Sequence, residues 1–206
     1  VSVGSVIAIA IFLDVHGVYP TFSEALRFSA FNVVSIATTT GYASTDYALW
    51  PMFAPLWMLF LSSFATSAGS TGGGIKMIRA IVLYKQVYRE LTRAMHPNAI
   101  HPVKIGSELV PSNILFAVLA FGFMYMVCIV SMTLALSFSD LEIVTAFTAV
   151  VASINNTGPG LGQVGPATNF GSLSDFQTWV CTFAMLLGRL EIFTLLVVMT
   201  PAFWRK

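Results

Sequence analysis

Three long stretches of this chain contain no Asp, Glu, Lys or Arg: Tyr47–Ile75, Leu109–Ser139 and Ile143–Ser174. Each exceeds the roughly 20 residues that a transmembrane helix needs. Such a sequence has too little charge to cover a soluble surface. Charged residues are 9% of the 206 and hydrophobic residues 56%, where a soluble domain averages about 25% charged. The expected fold class is therefore all-α integral membrane. The formal net charge of +1 argues against a nucleic-acid partner or an acidic substrate.

The placement of the charges gives a direction. Lys76, Arg79, Lys85, Arg89, Arg93 and Lys104 share one segment, and Arg205 and Lys206 close the chain; together they are eight of the ten basic residues. The positive-inside rule puts both places on the cytoplasmic side. Cys128 and Cys181 lie in apolar stretches and read as small core residues, not as a disulfide or a metal pair. No basic n-region precedes the first apolar run, and the chain opens on Val1. It is expected to start inside a larger protein, with Val1–Leu13 the tail of a helix.

Two blocks repeat one plan. In the first, Val1–Leu13 leads through a polar link to a moderately apolar segment, 21–37. Thr38-Thr39-Thr40-Gly41-Tyr42 follows, and a long apolar segment runs on to about Tyr84. In the second, an apolar helix over about 111–137 is followed by a short segment, 140–154. Asn155-Asn156-Thr157-Gly158-Pro159-Gly160 comes next, then an apolar segment from about Phe176 to Phe203. Thr21-Phe22-Ser23-Glu24 and Ser139-Asp140-Leu141-Glu142 both fit a capping box at a helix start. Glu24 precedes Gly41 by 17 residues and Glu142 precedes Gly158 by 16, too few to span a bilayer. A helix, a short helix, a polar strand and a second helix make a re-entrant pore loop. Irregular backbone at membrane depth is tolerated where it lines a water-filled path or is buried in protein. The alternative is two ordinary external loops with capped helices.

A dehydrated cation needs oxygen ligands, which K⁺ filters supply as rings of backbone carbonyls in Thr-Val-Gly-Tyr-Gly segments. Thr38-Thr39-Thr40-Gly41-Tyr42 resembles that segment, and Asn155-Asn156-Thr157-Gly158-Pro159 is a degenerate copy sharing Thr-Gly. Gly is needed because such carbonyl alignment takes backbone angles that a Cβ forbids. A lone Thr-Gly pair means nothing; two of them 117 residues apart, each ending a short helix, carry information. The negative C-terminal end of each short helix also favours a cation.

With Gly69-Ser70-Thr71-Gly72-Gly73-Gly74-Ile75-Lys76 and Gly188-Arg189-Leu190-Glu191, these runs resemble the C-terminal half of the Trk/Ktr/HKT superfamily of potassium transporters, of the TrkH type. The resemblance covers nearly the whole chain. It implies the third and fourth of four helix–pore-loop–helix repeats: residues 1–90, a cytoplasmic linker over 91–110, and 111–206. It implies K⁺ as the cargo, bound at Thr39, Thr40, Asn156 and Thr157, with no organic cofactor. The implied partners are the two remaining repeats, a cytosolic nucleotide-binding regulatory subunit (TrkA-like), a second copy in a homodimer and membrane lipid. The implied location is the bacterial inner membrane, with multiple passes.

Four glycines among the six residues 69–74 should break the helix that carries them, since each costs about 1 kcal/mol relative to Ala. The segment 65–76, ending on Lys76, is read as a movable gate under the filter, a role the family's matching loop is held to play. The alternative is a small-residue packing patch. A phosphate-binding loop does not fit, because Ile75 intervenes before Lys76 and no Ser or Thr follows. Thirteen uncharged residues precede Arg189 and thirteen follow Glu191. Arg189 is thus expected near mid-membrane, where a charge faces a cavity or a partner. The resemblance points it at the glycine-rich loop; the alternative is a structural ion pair with another helix.

The Asn155-Asn156-Thr157 sequon lies in the expected filter and is discounted. His96 and His101 have no Cys or further His beside them to build a metal site. Lys85, Arg89 and Arg93 fall at helical spacing, as a lipid-anchoring face or a docking face for a cytosolic partner. No catalytic constellation is visible, so an enzyme is not expected. Two other classes compete with a K⁺ pathway: a membrane anchor whose re-entrant loops are structural, and a secondary transporter with broken helices at its site.

Overall fold

The computed structural model describes residues 1–67, 69–70, 72–96 and 102–205. Thr71 of the expected gate, His101 and Lys206 lie outside the described residues. In the first block α1 (Ser2–Val15) leads to α2 (Phe22–Ala37), then α3 (Phe53–Phe64) and α4 (Met77–Met95). In the second, α5 (Ser112–Phe138) leads to α6 (Ile143–Ile154), then α7 (Asp175–Arg189), α8 (Ile192–Met199) and α9 (Pro201–Trp204). Between the blocks β1 (Lys104–Ile105) and β2 (Glu108–Leu109) form a small antiparallel hairpin. Residues 91–95 of the expected linker complete α4.

Helix α5 is 27 residues long, about 40 Å at 1.5 Å per residue, more than the hydrocarbon thickness of a bilayer. It buries Leu115, Phe121, Tyr125, Ile129 and Leu136 and leaves Phe116, Phe123, Val130 and Leu134 exposed. An apolar helix that exposes half its surface this way suits lipid. Among the described residues it is the one single helix long and apolar enough to cross a membrane. Helices α7 and α8 pass the same test only together, across a bend of 111°.

That bend corrects the sequence expectation of one continuous segment from Phe176 to Phe203. The helix stops at Arg189, and Glu191 restarts the chain in the left-handed region at φ 61°. It stops again at Met199, because Thr200 precedes Pro201 and takes the extended conformation, ψ 136°.

The capping expectation is half right. Thr21 caps α2, its hydroxyl accepting from the Glu24 amide at 3.4 Å. At α6 the N-cap is Glu142, with no side-chain capping bond. Ser139 instead closes the end of α5: its hydroxyl donates to the Leu136 carbonyl at 2.6 Å and accepts from Gln177 Nε2 at 2.9 Å. The reciprocal capping box forms at Ser174 and Gln177, which open α7. Gln177 thereby ties the start of α7 to the end of α5.

Two cores result. Ile9, Leu13, Ala25, Val33, Met58 and Leu61 pack the first block. Ile129, Leu136, Ala149, Val150, Ala184 and Leu187 pack the second, which Ile75 of the first block joins.

Candidate functional site

Helices α2 and α6 end in the same hydrogen-bond pattern. Thr40 N bonds the Ser35 carbonyl at 2.8 Å and Thr39 N the Ile36 carbonyl at 3.1 Å. Thr157 N bonds Ala152 at 2.9 Å and Asn156 N bonds Ser153 at 3.0 Å. This is a Schellman ending, whose left-handed position is usually Gly. Here Thr39 (φ 56°) and Asn156 (φ 55°) occupy it, and Gly41 (φ 83°) and Gly158 (φ 104°) are left-handed two residues later. A β-branched residue at positive φ is an outlier, and such strain persists only where the surroundings hold it.

The surroundings are polar side chains on the short helices. In the first block Ser35 Oγ donates to the Tyr42 carbonyl at 2.6 Å. Buried Asn32 accepts from the Ser44 amide at 3.1 Å and donates to its hydroxyl at 3.0 Å. In the second block Thr148 Oγ1 accepts from Leu161 N at 3.0 Å and Thr145 Oγ1 from Gln163 N at 3.3 Å. These residues clamp each returning strand to its helix. The sequence reading passed over them, although the spacing of three in both pairs puts each pair on one face.

The two runs meet. A Cβ on Gly41 would strike the Thr157 carbonyl oxygen, and Pro159 Cδ lies 3.4 Å away from it. Several side chains of the runs are committed to protein. Thr38 Oγ1 donates to the Val34 carbonyl at 2.7 Å and sits 2.9 Å from Thr40 Oγ1. Asn156 Nδ2 donates to the Met185 carbonyl at 3.2 Å. Asn155 is fully buried and bonded to Tyr125, Ser62 and Ser63. Thr157 Oγ1 is buried and has no partner among the described residues. Tyr42 is exposed, and Gly158 and Pro159 are exposed and half-buried. The oxygens left for a cation include main-chain carbonyls and the Thr157 hydroxyl.

The break at the glycine-rich segment is real: α3 stops at Phe64 and α4 starts at Met77. Ile75 N bonds the Ser63 carbonyl at 2.6 Å, Met77 N bonds the Thr66 carbonyl at 2.8 Å, and Thr66 Oγ1 donates to the Gly73 carbonyl at 3.1 Å. Gly72 N bonds Ser70 Oγ at 3.0 Å. The glycines allow close approach to both runs. A Cβ on Gly72 would lie 2.9 Å from Thr39 Oγ1, and one on Gly73 would lie 2.6 Å from the Asn155 carbonyl oxygen. One on Gly74, itself at φ 83°, would lie 2.5 Å from the Ser63 carbonyl oxygen. Gly69 meets no such neighbour.

Arg189 ends α7 and lines a cavity of about 220 Å³ with Ser70, Gly72, Gly74, Lys76 and Glu191. The loop and the arginine that the sequence singled out therefore share one space. Glu191, which the sequence reading left without a role, lies 3.5 Å from Lys76 Nζ and 3.2 Å from Arg79 Nη2. The Arg79 guanidinium sits 4.3 Å over the Phe121 ring. Lys76 (φ 65°) and Glu191 (φ 61°) are both left-handed and both N-caps, so the ion pair joins two elbows. Farther along α4, Lys85 Nζ donates to the Lys104 carbonyl at 2.6 Å and Arg89 pairs with Glu90 at 3.2 Å. Among the described residues no His, Cys, Asp and Glu group could hold a metal, and Cys128 and Cys181 are free and buried.

The family model described as TrkH, cation transport protein, matches residues 8–206. The chain belongs to the TrkH family. The Trk system potassium uptake protein TrkH of Salmonella typhimurium is 44% identical over 93% of this chain and 39% of its own length. The Trk system potassium uptake protein TrkG of Escherichia coli is 35% identical over 94% of this chain and 38% of its own. The crystal structure of the potassium transporter TrkH from Vibrio parahaemolyticus matches with a TM-score of 0.92 and 42% identity, over 99% of this chain and 43% of that one. The chain spans about two fifths of the relatives it matches. Its fold class, an all-α membrane architecture with pore-loop helices, agrees with the sequence reading.

Proposed function

We propose that this chain forms half of a pathway for K⁺ uptake across the bacterial inner membrane. Residues 1–90 and 111–206 act as two of four quasi-repeats, with 91–110 as a cytoplasmic link. The observation that carries the reading is the meeting of two backbone-matched runs above a glycine loop, Gly41 seated against the Thr157 carbonyl. The names of the relatives supply K⁺ as the ion. Carbonyls of Thr39, Thr40 and Gly41, with those of Asn156, Thr157 and Gly158, replace water around the ion. The loop over 65–76 closes the path beneath them, with Arg189 on the far wall of the cavity.

Two further repeats complete the ring of carbonyls. A cytosolic nucleotide-binding regulatory subunit and a second copy of the protein complete the assembly. The chain performs transport and no catalysis. The test is ⁸⁶Rb⁺ uptake by the full-length protein in liposomes, wild type against Gly41→Ser and Gly158→Ser. Both variants insert and lose most uptake or ion selectivity. Unchanged uptake in both would make the re-entrant loops structural.

A further inference from the structure

Taking the filter and gate reading as its basis, we propose that Asn155 is a positioning residue that couples the glycine loop to the second filter run, with Tyr125 and Ser63 holding its carboxamide. Asn155 immediately precedes Asn156–Gly158 and is fully buried. Both ends of its carboxamide are hydrogen-bonded. Tyr125 Oη donates to Asn155 Oδ1 at 2.8 Å. Asn155 Nδ2 donates to Ser62 Oγ at 2.9 Å and to Ser63 Oγ at 3.1 Å. Ser62 Oγ passes its own proton to the Leu59 carbonyl at 2.6 Å. Ser63 Oγ also accepts from Tyr125 Oη, at 3.2 Å. One carboxamide thus joins the end of α6, the end of α3 and the middle of α5.

The loop rests on the same atoms. The backbone of Asn155 crowds Gly73, and a Cβ on Gly74 would lie 3.1 Å from Asn155 Oδ1. Ser63, which accepts from the carboxamide through its side chain, accepts from Ile75 of the loop's exit through its carbonyl. A loop that swings away must release Ser63 or Asn155. Asn155 and Ser63 are both buried, and an unsatisfied buried polar group is costly. The loop and the run therefore move together or not at all. Among the described residues the first block lacks the device: the position matching Asn155 is Thr38, which is exposed and bonds only Val34, Ser35 and Thr40 there, all within its own segment. Coupling is carried by one run of the two.

The experiment uses the full-length protein in liposomes, with Tyr125→Phe and, as a second route into the network, Ser63→Ala. Two readouts are taken per inserted molecule: the ⁸⁶Rb⁺ to ²²Na⁺ uptake ratio, and the labelling rate of Ser70→Cys by a water-soluble thiol reagent. The native Cys128 and Cys181 are buried. Each variant lowers the ratio and speeds labelling about five-fold, the factor equivalent to about 1 kcal/mol for one net hydrogen bond. A merely structural network would lower yield or melting temperature and leave both readouts at wild-type values in both variants, which overturns the coupling. Gly158→Ser serves as the control. If it collapses the ratio while Tyr125→Phe and Ser63→Ala do not, the coupling fails and the filter reading stands. If it leaves the ratio unchanged, the filter reading falls and takes the coupling with it.

Discussion

Gly188→Ala puts the packing of α7 on α6 to a test in which two effects have opposite signs. Gly188 lies in the last turn of α7. In an isolated helix the change to Ala is favourable by about 0.8–1.0 kcal/mol. In the folded protein a Cβ at that position would overlap the Ile154 carbonyl oxygen and approach Asn156 Nδ2 to 2.9 Å. Both the helix and the carbonyl are backbone, so no side chain can turn aside. Overpacking costs about 1–3 kcal/mol, and rigid partners put this site at the upper end. The net loss is about 2 kcal/mol, or about 30-fold in the ratio of intact to disrupted packing. Gly122→Ala is the matched control. Gly122 also sits inside a helix, but its Cβ would meet the flexible Leu83 side chain, with Cδ1 at an ordinary 3.4 Å and Cδ2 at 3.8 Å, so the propensity gain survives. The assay is thermal melting of the full-length protein in detergent, followed by size-exclusion of the survivor. Gly188→Ala melts below wild type and Gly122→Ala at or above it. Equal melting of the two variants would refute the close approach of α7 to the end of α6.

Two more outcomes follow from the ends of the broken spans. Ser174→Ala removes one half of the reciprocal cap on α7 and costs about 1 kcal/mol, read as a lower melting temperature; an unchanged melt would place the start of α7 elsewhere. Glu191→Gln weakens its pairs with Lys76 and Arg79. Because Glu191 is nearly half exposed, the loss stays under about 1 kcal/mol and shrinks with added salt. A salt-independent loss in paired melts at low and high ionic strength would mean that the ion pairs are not what holds the elbows.

Local chemistry made much of this legible beforehand. Charge-free length announced the membrane, Thr21 and Glu24 announced the start of α2, and four glycines among the residues 69–74 announced the break before Lys76. Each signal is read within one or two helical turns of itself. The failures share the opposite property. Ser139 and Ser174 both carry the capping pattern, and only the exit of α5 decides that the first becomes a C-terminal cap contacting Gln177. Thirteen uncharged residues on each side of Arg189–Glu191 have the composition of a continuous span. The chain nonetheless bends there by 111°, just past Gly188, whose backbone lies against Ile154, a residue remote in sequence. Asn155 reads in sequence as one more filter residue, yet its side chain belongs to Tyr125, Ser62 and Ser63. The sequence by itself determined the membrane class, the short helices and the glycine break, because capping, propensity and hydrophobic length act between neighbours. The tertiary structure alone decided which runs meet, where the last span breaks and what Asn155 holds. Those depend on close backbone approach and on buried polar groups finding partners, and both are settled only when distant segments are packed together.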